Sequence, residues 1–164
     1  MSERDVTITI VDAELTCPEH EAAVLEMVDA YAKDPSGGGQ PLDDDVRARL
    51  IPDLRTHPTT VILLAFDGAR PIGIAACFRG FSTFSARPLL NLHDLAVIAE
   101  YRGRGVGRKL LAAVEEKARS LGCTKVTLEV LEANPARKLY ESMGYASPIY
   151  CKGSGQALFL SKSV

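Results

Sequence analysis

The chain lacks several patterns that mark whole classes of protein. It contains no tryptophan, and none of its apolar runs approaches the roughly 20 residues that a membrane-spanning helix needs. Its 19 basic and 21 acidic residues give a formal net charge of -2, so no general basic field favours nucleic acid or an anionic membrane. We therefore expect neither nucleic acid nor a membrane among its partners, and a small molecule or a protein site stays open.

The four cysteines are widely separated, with no Cys-x-x-Cys pair and no cysteine–histidine cluster at zinc spacing. We expect no metal site. Cys77 lies in an apolar run, where a small buried residue is a simpler interpretation than a nucleophile. Cys123 has no histidine beside it in the sequence. The first residues show no basic segment followed by an apolar run, so we expect a cytoplasmic protein with reduced thiols.

Strand and helix patterns alternate along a chain whose 164 residues suit a single domain, residues 1–164. Alternating or β-branched runs predict strands at residues 6–11, 61–66, 71–78, 89–98 and 125–130, and a last pair at 145–150 and 157–160. Apolar residues every three to four positions predict helices at 19–32, 43–54 and 105–121, and a shorter one from Asn134 to Gly144. The glycine-rich segment 35–41 between the first two helices is either a connector or a substrate lid.

This order of elements predicts an α+β fold. A first half rich in hairpins and a second half of alternating strands and helices favour one mixed, mostly antiparallel, twisted sheet of six to seven strands. About four helices would flank it on both faces.

One segment at a predicted strand-to-helix junction has the chemistry of an anion site. Glycines let successive backbone N–H groups turn toward one anion, the helix start adds partial positive charge, and arginines add directional donors. The segment consists of Arg102, Gly103, Arg104, Gly105, Val106, Gly107 and Arg108. A dinucleotide fingerprint would need glycine or alanine at position 108, and a P-loop would need Gly-Lys-Ser/Thr at positions 108–110. Neither motif fits, and a pyrophosphate is the natural occupant, although a glycine turn can also be purely structural.

The surrounding motifs resemble the acyl-CoA-binding signature of the GNAT superfamily. Arg102-x-x-Gly105-x-Gly107 follows Leu95-Ala-Val-Ile, with Asn134-Pro-Ala-Arg-Lys-Leu-Tyr140 and Met143-Gly-Tyr145 downstream. The resemblance implies acetyl-CoA as acyl donor and a sheet splayed in the middle, between strand 89–98 and strand 125–130. It also implies that the backbone of Leu95, Ala96 and Val97 holds the pantetheine amides and that the amides of residues 102–108 hold the pyrophosphate. Asn134 would meet the cofactor, and Tyr140 its sulfur.

Two of these residues also have a structural interpretation. In the family, the hydroxyl of the tyrosine at position 140 protonates the departing CoA thiolate, whereas on its helix Tyr140 is equally suited to be a buried core aromatic. Asn134 is explained by helix capping alone, and both roles can hold together.

Transfer by direct attack in a ternary complex needs a base, because an amine with a pKa near 10 is mostly protonated at neutral pH. His93 and Asp94 precede the cofactor strand, and strand alternation predicts that they face opposite sides of the sheet. Histidine as a residue type, with an unperturbed pKa near 6.5, suits the role of catalytic base and favours His93 for it, while Asp94 could hold an ammonium group, and a water chain could replace either.

The segment 81–95 resembles the matching part of diamine and thialysine acetyltransferases, in which a Ser-Thr pair and a carboxylate serve the amine site. Here His93 stands where that carboxylate would be. We expect a small-molecule amine acceptor, such as a diamine, a polyamine or an amino-acid side chain. Acidic residues on the first two helices favour a cationic substrate, although a solvated acidic face explains most of them. They are Glu21, Glu26, Asp29, Asp34 and Asp43 to Asp45.

Two alternatives stay open. The first is acetylation of protein lysines or N-termini, and the second is a non-catalytic acyl-CoA-binding module. Homodimers are frequent in the family, and the apolar residues 157–160 could pair across such an interface.

Overall fold

A computed structural model describes residues 7–148 and 160–163. The chain divides into two compact units, Met1–Leu128 and Glu129–Val164. The first unit contains β1 (Ile8–Asp12), α1 (Pro18–Lys33), α2 (Asp44–Thr56), β2 (Thr60–Asp67), β3 (Arg70–Ser82), β4 (Arg87–Val97), a 3-10 turn (Ala99–Tyr101), α3 (Val106–Ser120) and β5 (Val126–Leu128). The second unit contains α4 (Ala136–Ser142).

The strands form one mixed sheet in the order β1-β2-β3-β4-β5. The strands β1 to β4 pair with one another in antiparallel fashion, and β5 runs parallel to β4. The turn between β2 and β3 is tight, because Gly68 adopts a φ of 58° that favours glycine. The longer connection between β4 and β5 contains α3, as a parallel pair requires.

Helices cover both faces of this sheet. Val24 and Met27 of α1 and Ile51 of α2 pack on Ile62, Leu64, Ile74 and Ala76, which share one face because strand side chains alternate. The opposite face receives α3. A Cβ added to Gly73 would lie 3.0 Å from Leu110 Cδ1 and 3.4 Å from Val106 Cγ1, so this glycine lets α3 approach β3 closely.

These elements confirm the α+β prediction with helices on both faces. The described residues contain five strands, fewer than the six to seven expected. Residues 145–148 form no strand, and half of the predicted final strand pair, residues 149–150 and 157–159, lies outside the described residues. The predicted strand 125–130 is shorter, Val126–Leu128. In the part of the chain that is described, no helix is both long and apolar enough to span a bilayer.

Candidate active site

The turn before α3 has the geometry of an anion site. Gly103 and Gly105 have φ values of 73° and 82°, a backbone conformation that side chains rarely adopt. A Cβ added at either glycine would meet no atom within 4 Å, so open space lies in front of both. Gly105 is the N-cap of α3, a 15-residue helix, and no side chain caps this end. The first N–H groups of α3 are therefore available to a ligand and carry the positive end of its dipole.

Side chains of the first unit hold the start of this turn in place. The Tyr101 hydroxyl donates a hydrogen bond to Asp67 Oδ2 at 2.6 Å, and this bond raises the pKa of the Tyr101 phenol. The guanidinium carbons of Arg70 and Arg104 lie 5.5 and 5.3 Å from the centre of the Tyr101 ring. Cation–π contacts with both arginines therefore fix the ring of Tyr101, which directly precedes the turn.

The guanidinium of Arg102 is committed to protein partners. Its Nε donates to the Val97 carbonyl at 2.9 Å, and its Nη2 lies 2.6 Å from Asp34 Oδ2. Arg102 consequently ties the glycine turn to the end of β4 and to the end of α1. The backbone amides of the turn are therefore the candidates for contact with an anion.

β4 extends beyond the end of β5 at the residues predicted to hold the cofactor. Pairing between the two strands runs from Leu90↔Val126 to Leu92↔Leu128, whereas β4 continues to Val97. The half-buried residues Leu95, Ala96 and Val97 thus lie on the part of β4 that extends beyond β5. A strand edge of this kind offers N–H and C=O groups to an extended amide ligand.

His93 and Asp94 face the same side of the sheet, contrary to the expectation from strand alternation. The register between β3 and β4 shifts here, because Ala76 pairs with Asp94 and Cys77 with Leu92. His93 is therefore the extra residue of a β-bulge, which re-aims its side chain.

Contacts identify that side as the one covered by α1 and α2. The His93 ring makes an edge contact with Phe78 at 5.7 Å, and Phe78 makes a second with His57, just after α2, at 5.3 Å. Asp94 interacts electrostatically with Tyr31 of α1. Burial raises the pKa of the Asp94 carboxyl above its usual value, and the neighbouring His93 opposes the rise.

Tyr31 is a candidate site residue that the sequence did not reveal. Burial raises the pKa of its hydroxyl, and the negative charges of Asp94 and Asp34 add to this rise. In the sequence Tyr31 belongs to the apolar stripe of its helix, which predicts packing alone. Only the bulge at His93 and the turn after α1 bring its hydroxyl near two carboxylates, and local sequence contains no signal for that proximity.

The acidic residues of α1 and α2 are largely paired within the chain. Asp29, buried in the first unit, bonds Lys33, Arg47 and the Leu42 amide. The other ion pairs are Glu21–Arg55, Asp34–Arg102, Asp45–Arg49 and Asp53–Arg49. Neutralised carboxylates attract a cationic substrate weakly, so the negative charge of these helices alone does not define an amine site.

The second unit contains Asn134 and Tyr140. The Asn134 side-chain oxygen accepts the Ala136 N–H at 2.9 Å and so satisfies an N–H group at the start of α4, while the N-cap residue is Pro135, one position later than expected. Tyr140 is 8% exposed, and its ring centre lies 6.1 Å from that of Tyr145. Tyr140 is therefore a buried aromatic, as its structural interpretation expects. Burial of the ring is compatible with a role of the hydroxyl as a proton donor.

Two of the described cysteines, Cys77 and Cys123, are poor nucleophiles. Cys77 is fully buried, and burial raises the pKa of its thiol to about 12. Burial also raises the pKa of the Cys123 thiol. Both thiols therefore stay protonated at neutral pH, which agrees with the structural interpretation of Cys77.

Comparison with known proteins identifies relatives of this arrangement. The model of the acetyltransferase (GNAT) family matches residues 24–145. An uncharacterised N-acetyltransferase of Bacillus subtilis is 36% identical over 93 residues, which cover 56% of this chain and 62% of that protein. The thialysine N-epsilon-acetyltransferase of Bos taurus is 36% identical over 79 residues, 48% of this chain and 46% of that protein. The matched regions thus span less than two thirds of either relative.

Solved structures share the fold over nearly the whole chain. A probable acetyltransferase aligns with a TM-score of 0.77 and 23% identity, covering 94% of this chain and 99% of the other. An aminoglycoside acetyltransferase from a soil metagenome aligns with a TM-score of 0.75 and 16% identity, covering 99% of each chain. At these identities the likeness establishes the fold.

Proposed function

Because this chain belongs to the acetyltransferase (GNAT) family, we propose that it is an acyl-CoA-dependent N-acyltransferase that moves an acetyl group from acetyl-CoA to a primary amine. The observation that carries the proposal is the glycine turn. Gly103 and Gly105 present open backbone at the start of α3, after a strand whose last residues extend beyond their pairing with β5. A pyrophosphate followed by an extended amide chain is the ligand that suits both features.

Acetyl-CoA would lie along the end of β4 and the turn. The backbone of Leu95, Ala96 and Val97 would bond the pantetheine amides, and the amides of residues 102–108 would bond the pyrophosphate. Since Arg102 already donates to the Val97 carbonyl, we expect Val97 to contribute through its N–H. The Asn134 oxygen accepts a bond from its own helix, so its side-chain NH₂ is the group that would meet the cofactor.

The transfer proceeds by direct attack in a ternary complex. The ammonium form of the acceptor first gives a proton to a base, after which the nitrogen lone pair attacks the thioester carbonyl. The C–N bond forms, the C–S bond breaks, and the CoA thiolate takes the hydroxyl proton of Tyr140, as the family resemblance implies. The attacking nitrogen still carries one surplus proton, which passes through water to the tyrosine oxygen as the amide forms.

The His93–Asp94 pair is our candidate for the base. Both side chains face α1 and α2, and a buried carboxyl whose pKa is raised accepts a proton more readily than an ordinary one. His93 lies next to Asp94 on this side of the sheet, so either group is close enough to the other to share the work of the base. Because His93 is exposed, it is the member of the His93–Asp94 pair that can take the proton from an acceptor arriving from solvent.

We propose a small-molecule amine as the acceptor. Asp94 is a half-buried carboxylate with Tyr31 beside it, which suits one ammonium group on a compact molecule. The relative from Bos taurus is named for thialysine, an amine of this kind. His93, which stands where diamine acetyltransferases have a carboxylate, favours acceptors with one positive charge near the site over those with two.

A panel of acceptors with acetyl-CoA tests this proposal. Thiol release would be followed for lysine and thialysine, diamines, polyamines, aminoglycosides and peptides with free lysines or N-termini. We expect turnover with small amines, fastest for lysine-like compounds. Turnover with peptides alone would refute the small-molecule acceptor, and binding of acetyl-CoA without turnover of any amine would indicate a non-catalytic module.

A further inference from the structure

The segment after α1 is a defined turn built around Asp34. The Asp34 carbonyl accepts the N–H groups of Gly37, Gly38 and Gly39 at 2.8, 3.2 and 3.1 Å. Its side-chain Oδ1 accepts the Ser36 N–H at 2.9 Å. One residue therefore organises the glycine-rich segment with both its main chain and its side chain.

Close packing holds this turn against the last turn of α1. A Cβ added to Gly37 would lie 1.9 Å from the Tyr31 carbonyl oxygen, a distance at which the backbone would have to move. The Asp34 N–H also donates to that carbonyl at 3.0 Å. The position of Tyr31, beside Asp94, is thus linked to the conformation of the turn.

The other carboxylate oxygen of Asp34 connects this turn to the candidate pyrophosphate turn. Asp34 Oδ2 lies 2.6 Å from Arg102 Nη2, and the Asp34 side chain is only 17% exposed. The Arg102 guanidinium holds the pKa of the Asp34 carboxyl below its usual range, so the pair stays charged at neutral pH. Arg102 also holds the Val97 carbonyl, which leaves its guanidinium little freedom to rotate.

We propose that Arg102 and Asp34 are positioning residues that couple occupancy of the acyl-CoA site to the acceptor side of the active site. A pyrophosphate bound to the amides of residues 102–108 fixes the backbone of Arg102. Its guanidinium then fixes Asp34, and Asp34 fixes the glycine turn and the end of α1 that carries Tyr31. Coupling of this kind is reciprocal, so a bound acceptor strengthens binding of the donor by the same factor.

This inference rests on the proposed function, but its test separates the two. Hydrogen exchange at residues 36–39 would be measured with and without saturating CoA in the wild type, Asp34→Asn and Arg102→Gln. Asp34→Asn keeps an oxygen for the Ser36 N–H while it removes the ion pair. We expect CoA to slow exchange at these amides by about 5-fold or more in the wild type, within the usual range of coupling, and to leave it unchanged in both variants.

Steady-state kinetics provide the second readout. Asp34→Asn should raise the KM for the amine by about 5-fold or more with kcat within about 2-fold, and the addition of Arg102→Gln should raise that KM no further. Arg119→Gln is the control for loss of an arginine charge, because Arg119 pairs with Glu116 at 3.0 Å on the far end of α3, in an exposed pair away from the turn. It should change neither the exchange nor the KM.

The outcomes are distinct. CoA binding without slower exchange at residues 36–39 in the wild type would overturn the coupling and leave the proposed function intact. A purely structural ion pair would lower the melting temperature of the variants yet preserve their CoA-dependent protection, which would also overturn it. If the wild-type protein does not bind CoA, both the coupling and the proposed function fail.

Discussion

Replacement of Asp29 by asparagine should destabilise the first unit in a pH-dependent way. The Asp29 side chain is 9% exposed, with Lys33 Nζ at 2.6 Å and Arg47 Nη1 at 2.9 Å. Its Oδ1 also accepts the Leu42 N–H at 3.0 Å. These bonds join α1 to α2 and to the connection between them. The asparagine side chain would keep an oxygen for the Leu42 amide but lose the charge.

The size of the effect follows from the pKa of Asp29, which the hydrogen bond from Lys33 above all lowers from 3.8 to about 2. A tenfold change in an acid constant corresponds to about 1.4 kcal/mol. The charge of Asp29 therefore contributes at most about 2.5 kcal/mol to the free energy of unfolding. Since Lys33 is 55% exposed and its charge is screened by solvent, we expect the Asp29→Asn variant to lose about 1 to 2 kcal/mol of unfolding free energy. A carboxyl whose pKa is lowered by folding stabilises the folded state at pH values above its pKa in the unfolded chain. The contribution of Asp29 is therefore complete at pH 7 and is lost as the pH falls from about 4 to below 2.

Urea denaturation followed by circular dichroism measures this difference. At pH 7 the Asp29→Asn variant should be less stable by about 1 to 2 kcal/mol, equivalent to roughly 2 to 8 °C in melting temperature for a chain of this size. At pH 3 the difference from wild type should be about half as large. The control Asp53→Asn removes a 67% exposed partner of Arg49 and should cost at most about 0.5 kcal/mol. A loss that is equal at both pH values, or no loss, would refute this explanation.

Three further changes test the site and its support. Tyr140→Phe should reduce kcat by about 100-fold or more with little change in acetyl-CoA affinity, as expected for loss of a general acid, and unchanged turnover would exclude the tyrosine from the mechanism. Asp94→Asn should flatten the fall in wild-type activity that occurs as the pH drops through the raised pKa of this carboxyl, and an identical pH profile would assign the base elsewhere. Gly73→Ala should lower stability by about 1 to 3 kcal/mol in urea, since its Cβ would lie 3.0 Å from both the Ala96 carbonyl and Leu110 Cδ1; a stable variant would show that α3 can shift.

The features that local chemistry determines could be predicted from the sequence. A glycine-arginine run between an apolar strand and an amphipathic helix already predicts the turn, and Gly105 is indeed the N-cap of α3. Asn134 before Pro135 predicts the side-chain hydrogen bond at the start of α4 in the same way. Each of these depends on residues a few positions apart, where spacing and backbone preference are sufficient.

The features that depend on distant residues could not be predicted. Strand alternation alone places His93 and Asp94 on opposite faces, and only the register between β3 and β4 reveals the bulge that brings them to one side. Arg102 and Asp34 are 68 residues apart in the chain, so no local pattern links them. The charge of Asp34 is visible in the sequence, whereas its role in neutralising Arg102 is visible only in the fold.

The most direct test of the central claim is acetyl-CoA affinity of Gly105→Glu, measured by calorimetry beside the wild type. A glutamate there places bulk and negative charge at the start of α3, where the pyrophosphate should bind, and Gly107→Glu should act in the same way. We predict that wild-type protein binds acetyl-CoA and that Gly105→Glu weakens binding by about 100-fold or more through charge repulsion and steric exclusion.

The matched control is Gly122→Glu. Gly122 has a φ of 69° and open space around its Cβ position, and it lies beyond the opposite end of α3. This variant carries the same new charge and a similar backbone strain away from the turn, and it should bind acetyl-CoA like the wild type. Equal affinity of Gly105→Glu and Gly122→Glu for acetyl-CoA would contradict the assignment of the donor site.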